Sequence, residues 1–223
     1  MNNGKQIAII GAGGHAKVVY DICTRGNYQV VAFFDNVSPD RKEYLGVKVA
    51  NCWQSLREIC SNDSVNLIIA IGDNFLRKKL FHIIEDEVPN AHFATVIDPS
   101  AVISNHDTLI CEGTVVMPGA IINAGTIVGS HCIVNTGAQL DHDCKMENFS
   151  SLGPGAVCGG NVIVGEGSAI CLGAKVIEKI TIGSWSIIGA GSVVVANIKA
   201  NKLAYGLPAK ERSGISPGKK YLK

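Results

Sequence analysis

The chain has 223 residues, of which 47% are hydrophobic, and its formal net charge at neutral pH is +1. That length allows one large or two small domains, and a charge so close to zero provides no basic field for nucleic acid or an anionic membrane surface. No apolar run reaches the roughly 18 residues of a membrane span, and the N-terminus lacks a signal-peptide pattern. We therefore expect a cytoplasmic protein.

The N-terminal part of the chain predicts a small α/β domain over residues 1–92. Residues 5–10 form an apolar strand pattern, followed by a glycine-rich turn and a helical pattern that ends near Gly26. Two more apolar runs, residues 30–34 and 65–71, also end in polar turns, and a helical pattern follows the second. Strands that alternate with helices predict a parallel, Rossmann-like sheet whose ligand lies at the carboxyl ends of the strands.

The turns after these three strands carry the residue types that bind nucleotides. Backbone N–H groups of a glycine turn at a helix N-terminus can hold a diphosphate, and a carboxylate after the second strand can accept a hydrogen bond from a ribose hydroxyl. The candidate nucleotide-sugar-binding residues are Gly11, Gly13, Gly14, His15, Asp35, Asn36, Gly72, Asp73 and Asn74. The pattern also allows a packing turn or NAD, but only one mononucleotide-binding half is present, which favours a nucleotide sugar.

From Ile110 to Val194 every sixth residue is apolar. The fifteen positions are Ile110, Val116, Ile122, Val128, Val134, Leu140, Met146, Leu152, Cys158, Val164, Ile170, Val176, Ile182, Ile188 and Val194. A period of six does not fit an α-helix, but it fits a triangular solenoid in which each hexad forms one face and three hexads form one coil. Residues 93–198 therefore predict an all-β solenoid of about five coils, with a bulge between Val102 and Ile110.

Glycine and cysteine residues follow this repeat. Five glycines come directly after an apolar position, where the backbone needs room or an unusual φ: Gly129, Gly153, Gly165, Gly183 and Gly189. Cys132, Cys144 and Cys158 occupy small or aliphatic positions, and the sequence has no Cys-x-x-Cys pair. We interpret the cysteines as buried, reduced thiols rather than disulfides or zinc ligands, which suits a reducing compartment.

One polar cluster, Asp141-His142-Asp143, directly follows the inward Leu140 and is not required by the repeat. A histidine can accept a proton near neutral pH, and a neighbouring carboxylate can fix its tautomer and stabilise the imidazolium. We therefore predict His142 as a general base, oriented by either Asp141 or Asp143. The alternative is a solvated turn histidine. The spacing of the other histidines does not predict a metal site.

In chain order, the motifs resemble those of hexapeptide-repeat nucleotide-sugar N-acetyltransferases of the bacillosamine and perosamine type. They are Gly11-Ala12-Gly13-Gly14-His15, Asp35-Asn36, Ile71-Gly72-Asp73-Asn74, Asn135-Thr136-Gly137 and His142-Asp143. Residues 199–223, with Gly206-Leu207-Pro208-Ala209-Lys210, are similar to the capping tail of sugar acetyltransferases. The resemblance covers nearly the whole chain and implies that the solenoid is a left-handed parallel β-helix. Sialic acid O-acetyltransferase-like proteins share this architecture.

The resemblance implies that acetyl-CoA is the co-substrate and that a nucleotide-linked 4-amino-4,6-dideoxy sugar is the acceptor, with direct transfer assisted by His142 and Asp143. It also implies a homotrimer with acetyl-CoA in a groove between subunits, and no metal. The implied acetyl-CoA-binding residues are Asn135, Ser151, Gly160, Leu172, Gly173 and Ala190. Gly160 follows His142 by one coil, and its backbone N–H is a candidate donor to the oxyanion.

Two positions depart from the family pattern. Ser151 stands where bacillosamine-type relatives are expected to have a second histidine, and Val37 follows Asp35-Asn36 where UDP-specific relatives are expected to have an acidic pair and a lysine. The nucleoside base therefore stays open among uracil, thymine and guanine. Two other functions remain as alternatives: an O-acetyltransferase acting on sialic acid or a related sugar, and a non-catalytic nucleotide-sensing scaffold that uses the solenoid to trimerise.

Overall fold

The computed structural model describes residues 5–38, 40–61, 64–89 and 91–221. Within them the first domain has the strands β1 (Lys5–Ile10), β2 (Tyr28–Phe34), β3 (Glu43–Tyr44), β4 (Val47–Ala50) and β5 (Val65–Ile69), and the helices α1 (Gly14–Arg25), α2 (Trp53–Cys60) and α3 (Asn74–Glu87). The sheet order is β3-β4-β2-β1-β5, with β1 parallel to β2 and β5, and β3 antiparallel to β4. The predicted Rossmann-like α/β domain is confirmed. No helix in these residues is long and apolar enough to cross a membrane.

The central strand β1 is buried on both faces of the sheet. Ile7 and Ile9 pack in one cluster with residues of α1, while Ala8 and Ile10 pack in another with Leu56 of α2 and residues of α3. Alternate residues of a strand point to opposite faces, so an unbroken apolar run is what a strand covered by helices on both sides requires. The carboxyl ends of β1, β2 and β5 meet at one edge of the sheet.

A parallel β-helix follows, built from two-residue strands. These are β6 (Val96–Ile97), β7 (Val102–Ile103), β8 (Leu109–Ile110), β9 (Val115–Val116), β10 (Ile121–Ile122), β11 (Ile127–Val128), β12 (Ile133–Val134), β13 (Gln139–Leu140), β14 (Lys145–Met146), β15 (Ser151–Leu152), β16 (Val157–Cys158), β17 (Ile163–Val164), β18 (Ala169–Ile170), β19 (Lys175–Val176), β20 (Thr181–Ile182), β21 (Ile187–Ile188) and β22 (Val193–Val194). Ile133 pairs with Ser151, eighteen residues later, so each coil takes three hexads. The predicted solenoid is confirmed.

The three faces of the solenoid are three parallel sheets. The first face contains β6, β9, β12, β15, β18 and β21; the second contains β7, β10, β13, β16, β19 and β22; the third contains β8, β11, β14, β17 and β20. The second residue of nearly every strand points inward and is fully buried, and Cys132, Cys144 and Cys158 belong to this core. All eight cysteines are unpaired. The interpretation of these three cysteines as small hydrophobes is therefore confirmed.

Every turn of the solenoid from residue 113 to residue 191 places one residue in the left-handed region, three positions after the inward residue. Eight of these positions are glycine, and the others are His131, Asp143, Phe149, Asn161, Lys179 and Trp185. The five glycines predicted to need room or an unusual φ lie elsewhere: a Cβ on Gly165 would approach the backbone nitrogen of Ser184 to 2.6 Å. They serve close approach between coils, and the positive φ belongs to a different position.

Helix α3 fastens the first domain to the solenoid. The Arg77 side chain is 1% exposed, and its Nε and Nη2 atoms donate to the carbonyl oxygens of His131 and Phe149 at 2.8 and 2.9 Å. The Asn74 amide donates to the carbonyl oxygens of Gly167 and Ser168. Because these acceptors lie on successive coils, α3 is held at a fixed position along the solenoid.

The C-terminal segment closes the far end of the solenoid. Strand β23 (Lys202–Gly206) pairs in parallel with β21, and β24 (Ala209–Gly214) returns antiparallel to β23. This hairpin extends the first face and buries Ala204 in the core. The chain then runs through Ile215 to Tyr221 and lies between the first domain and the solenoid.

Candidate active site

The polar cluster lies in the turn between β13 and β14, at the corner between the second and third faces. His142 Nδ1 is 2.8 Å from Asp143 Oδ2. Asp141 Oδ1 instead accepts from the His142 backbone N–H at 2.8 Å and from the Asn123 amide at 3.0 Å. Of the two carboxylates left open by the sequence, Asp143 contacts the ring and Asp141 shapes the turn.

Two glycines make room for this pair. Asp143 has a φ of 57°, which aspartate tolerates better than most residues, and its carboxylate lies over Gly125 of the preceding coil, where a Cβ would come within 2.5 Å of Oδ1. The His142 ring lies over Gly160 of the following coil, where a Cβ would come within 2.5 Å of Nε2. The histidine and its carboxylate are therefore positioned by small residues above and below.

The charges around His142 favour its protonated form. The hydrogen bond to Asp143 is the main cause that raises the pKa of His142, and the charges of Asp141 and Asp143 add to it. The hydrogen bonds from Asn123 and from the His142 N–H lower the pKa of Asp141. With Nδ1–H held by Asp143, the exposed Nε2 carries the lone pair in the neutral ring and can accept a proton.

A cleft of about 690 Å³ lies between the first domain, the first face of the solenoid and the C-terminal segment. Six predicted binding residues line it: His15, Gly72, Asn135, Ser151, Leu172 and Ala190. The other predicted site residues, among them His142, Asp143, Gly160 and Gly173, do not line this cleft. Within one chain, the polar corner and the cleft are thus separate features.

The wall of the cleft is mostly aliphatic because the outward residues of the first face stack coil upon coil. Ile133, Ser151, Ala169 and Ile187 occupy equivalent positions on four successive coils. His15 lines the other side; burial and the charge of Arg77 lower its pKa to about 4, and its Nε2 has no hydrogen-bond partner in the described structure. A neutral and buried imidazole nitrogen without a partner therefore lies beside the cleft.

The glycine turn at the end of β1 is open on its outer side. Gly11 has a φ of 111° and lies against Ile71, so a side chain there would be strained, whereas no atom lies within 4 Å of a Cβ built on Gly13 or Gly14. Asp35 follows β2 and accepts from the Val37 N–H at 3.0 Å. The predicted turns of β1 and β2 thus lie at the same sheet edge, with backbone free to approach a ligand.

Two residues that contact this turn were not predicted from the sequence. Arg41 Nη1 donates to the carbonyl oxygen of Ala12 at 2.6 Å and lies 3.6 Å from Asp35 Oδ2. Tyr44, at the end of β3, donates from its hydroxyl to the carbonyl oxygen of Gly13 at 3.0 Å. Both side chains hold the turn from residues 41–44, at the start of the ribbon β3–β4. The basic and aromatic character of these residues is the only feature of the sequence that could have indicated this role.

The turn after β5 starts helix α3 and contacts the solenoid. Asp73 caps α3 by accepting from the Leu76 N–H at 2.9 Å. Asn74 is 1% exposed, and its amide nitrogen and oxygen are used by the solenoid carbonyls and by Arg77. The Asn74 side chain therefore joins the two domains, and the prediction that Asn74 binds the nucleotide sugar stays a prediction. Among the residues that the structure describes, no group of three His, Cys, Asp or Glu side chains could hold a metal ion.

Comparison with known proteins finds a family model for the first domain and a curated relative for about half of the chain. Residues 6–84 match the family described as PglD N-terminal domain. UDP-N-acetylbacillosamine N-acetyltransferase of Bacillus subtilis (strain 168) is 38% identical over 118 residues, and this match spans about half of each protein, 51% of this chain and 51% of the relative.

Solved structures match over nearly the full length. The chain is 38% identical to a histidine-to-alanine variant of GDP-perosamine N-acetyltransferase from Caulobacter crescentus, solved with CoA and GDP-perosamine, with a TM-score of 0.85 over 93% of this chain and 97% of that one. It is 32% identical to the acetyltransferase domain of PglB from Neisseria gonorrhoeae FA1090, solved with acetyl coenzyme A, with a TM-score of 0.86 over 94% of this chain and 100% of that one.

The likeness to the Caulobacter structure extends over both domains in the same order, and the residues that carried the resemblance in the sequence lie at the sheet edge and the solenoid corner. We conclude that the chain belongs to the hexapeptide-repeat sugar N-acetyltransferases, a family of acyltransferases.

Proposed function

We propose that the chain transfers the acetyl group of acetyl-CoA to the amine of a nucleotide-linked 4-amino-4,6-dideoxy sugar. The observation that carries this proposal is the His142–Asp143 pair. Asp143 Oδ2 lies 2.8 Å from His142 Nδ1 and orients the ring, and Nε2 of this exposed side chain lies beside Gly160. The relatives support the acceptor class, since their names specify bacillosamine and perosamine acetylation. The unpaired cysteines support a reducing, cytoplasmic location.

In the proposed reaction His142 acts as a general base. The sugar amine forms a bond to the thioester carbonyl carbon, and the proton leaving the amine passes to His142 Nε2, while Nδ1 keeps its own proton in the hydrogen bond to the Asp143 carboxylate. The carbonyl oxygen becomes an oxyanion, for which the Gly160 backbone N–H is our candidate donor. The carbon–sulfur bond then breaks, and the proton on Nε2 moves to the departing thiolate.

The proposed substrates lie at two places in the molecule. The nucleoside diphosphate binds at the sheet edge, where the backbone of Gly13 and Gly14 is unobstructed and Asp35 offers a carboxylate. Acetyl-CoA binds in the cleft, whose wall is apolar and suits an extended uncharged arm. Arg41 holds the glycine turn in position for the diphosphate.

A homotrimer belongs to this proposal because His142 does not line the cleft of its own chain. The corner that bears His142 borders the third face, where Leu109, Ile127 and Ile163 are 55%, 41% and 38% exposed. Lys145 stands between Ile127 and Ile163, and exposed aliphatic side chains around one cation are compatible with a surface that a second subunit covers. Association through this face brings His142 of one subunit towards a neighbour's substrates.

Acetyl transfer to a defined acceptor tests the proposal. Labelled acetyl-CoA is incubated with UDP-, dTDP- and GDP-linked 4-amino sugars and with sialic acid, and we expect an amide product with one or more of the amino sugars. Label only on a hydroxyl of sialic acid would identify an O-acetyltransferase instead.

Replacement of the base separates an enzyme from a nucleotide-sensing scaffold. We expect His142→Ala to lower turnover by about 10²-fold or more, the usual contribution of a general base, while nucleotide binding is retained. His106→Ala, at another exposed turn histidine, is the matched control and should keep wild-type turnover. If His142→Ala turned over as fast as wild type, the proposed base would be wrong.

A further inference from the structure

The C-terminal segment after β24 contacts the rest of the molecule at its middle and at Tyr221. Gly218, with a φ of 86°, packs on the Phe75 ring, where a Cβ would come within 3.1 Å, and Phe75 in turn lies 6.0 Å from the Trp185 ring. Tyr221 enters the cleft, and burial raises the pKa of its hydroxyl. The Lys219 N–H donates to the Ser216 carbonyl oxygen, which closes a turn around Gly218.

This turn presents Lys219 and Lys220 at the rim of the cleft. Both side chains are exposed, both residues line the cleft, and neither forms an ion pair with any residue that the structure describes. No aspartate or glutamate lines the cleft, and His15 is neutral at physiological pH because its pKa is lowered to about 4. The cleft therefore combines an aliphatic wall with two uncompensated ammonium groups at one edge.

A ligand that matches this combination has an extended, weakly polar arm and phosphate groups at one end. Binding of such a ligand is favoured because its arm buries apolar surface on the stacked side chains of the first face. Its phosphates also accept charge-assisted hydrogen bonds from the two lysines. Acetyl-CoA has this arrangement, with a pantetheine arm and a phosphorylated nucleotide. A sugar ring, by contrast, requires polar partners for each hydroxyl, and the aliphatic wall provides few.

We propose that the C-terminal turn is part of the acyl-donor site and that Lys219 and Lys220 bind the phosphate groups of acetyl-CoA. The inference rests on the proposed function, because that function places acetyl-CoA in the cleft. It assigns a binding role to the last residues of the chain, beyond the hairpin that caps the solenoid. The diphosphate of the nucleotide sugar presents the same chemistry and is the competing source of the phosphates.

Direct binding measurements test this assignment without requiring turnover. The affinities of the wild type and of a Lys219→Ala/Lys220→Ala double variant for CoA, dephospho-CoA, pantetheine and the three nucleoside diphosphates UDP, dTDP and GDP are measured by titration calorimetry. We expect the double variant to bind CoA about tenfold or more weakly, since each lost charge-assisted hydrogen bond has a sizeable effect. Pantetheine, which lacks the phosphates, should bind both proteins equally, and the dephospho-CoA result locates the contact at the 3′-phosphate or the diphosphate.

Two control variants make the result specific. Lys79→Ala removes an exposed lysine from α3, outside the cleft, and should leave CoA affinity unchanged. Lys219→Arg/Lys220→Arg retains both charges and should retain most of the affinity. The CoA affinity of the wild type should also fall more steeply with salt than that of the double alanine variant, because exposed charge contacts are screened.

The inference is overturned if the double alanine variant binds CoA as tightly as wild type, if it loses equal affinity for CoA and pantetheine, or if it weakens only the nucleoside diphosphates. In each of these cases acetyl transfer by the wild type would still stand. If the wild-type protein bound no CoA at all, the proposed function would fail together with the inference.

Discussion

At the scale of single residues, Asp143 is the group that sets the pKa and the ring orientation of His142. Its hydrogen bond is the main cause that raises the pKa of His142, and the negative charge stabilises the imidazolium. In Asp143→Asn the pKa of His142 should fall, so the acidic limb of the pH profile of kcat/KM should move to lower pH. The maximal rate should drop about tenfold or more, because the ring loses its orientation and is a weaker base.

Rates measured between about pH 5.5 and 8.5 check this prediction, over the range in which histidine ordinarily titrates. Asp141→Asn is the matched variant, since Asp141 bonds the backbone N–H of His142 and not the ring. An acidic limb that moved only in Asp141→Asn would reassign the orienting carboxylate.

His131 is a second histidine with an unusual environment, and it affects stability rather than chemistry. It is 1% exposed among Phe81, Phe93 and Phe149, and burial, together with the charge of Arg77, lowers its pKa to about 4. Between the ordinary pKa of about 6.5 and that value, the unfolded chain binds a proton that the folded chain does not. Stability is therefore complete above about pH 6.5 and falls as the pH decreases towards 4.

Urea unfolding at pH 7.5 and 5.0 measures this loss. Wild type should lose on the order of 1–2 kcal/mol through His131 at the lower pH, and His131→Phe should lose correspondingly less. Phenylalanine suits the position, since Phe149 adopts the same left-handed conformation in the next coil. His15 has a lowered pKa as well, so the variant keeps part of the pH dependence. Equal losses in both proteins would contradict the prediction.

At the scale of elements, α3 depends on one buried cation. Arg77 donates only to neutral oxygens, including the carbonyls of His131, Phe149 and Ile71 and the Asn74 side chain. Replacing it with methionine leaves several buried carbonyls without a donor, which should cost about 3 kcal/mol or more. The first domain should then unfold before the solenoid, because its main polar attachment is gone.

The two tryptophans report separately on the unfolding of the two domains, since Trp53 lies in α2 of the first domain and Trp185 lies in the solenoid. In Arg77→Met, urea unfolding followed by fluorescence of single-tryptophan variants should give two separate transitions. Lys79→Ala, on the exposed side of the same helix, should stay within about 0.5 kcal/mol of wild type. A single unchanged transition in Arg77→Met would show that the attachment lies elsewhere.

Elements with a strong local pattern were predictable from the sequence. The six-residue period predicted the solenoid because each inward side chain must be apolar, and the unbroken run at Lys5–Ile10 predicted β1. The ribbon β3–β4 and the roles of Arg41 and Tyr44 were not predicted, because this ribbon is short and, unlike the solenoid strands, does not repeat along the chain. The contact of Asn74 with the solenoid was not predicted, since its partners, the carbonyls of Gly167 and Ser168, are more than ninety residues away in the chain.

The corner that bears His142 was likewise predictable from the sequence only in part. His142 comes two residues after the inward Leu140, and this place in the six-residue repeat predicted that its side chain is exposed. Which carboxylate contacts the ring depends on the left-handed φ of Asp143 and on the space above Gly125, and neither is visible in a hexad pattern. Six residues that line the cleft were predicted as binding residues, but their meeting in one cavity was not, because the cleft is formed by three segments that meet only in the folded chain.

At the scale of the whole molecule, the proposed trimer makes activity depend on association. Leu109, Ile127 and Ile163 on the third face would be buried in the trimer, and the two carboxylates introduced there would lose their hydration with only Lys145 between them as a partner. We expect Ile127→Glu/Ile163→Glu to be monomeric by light scattering and to lose acetyl transfer. Its cleft lies on another face, so CoA binding should persist if one chain supplies the whole acyl-donor site, and should weaken if a neighbour contributes.

Val102→Glu is the matched control, because Val102 is 61% exposed but belongs to the second face. It should remain trimeric if the third face forms the contact. Dissociation by Val102→Glu alone would move the interface to the second face, and a monomeric wild type with full activity would remove the trimer from the mechanism. In that last case His142 would have to reach a substrate held by its own chain, and the separation of the polar corner from the cleft would require the substrate to span the second face.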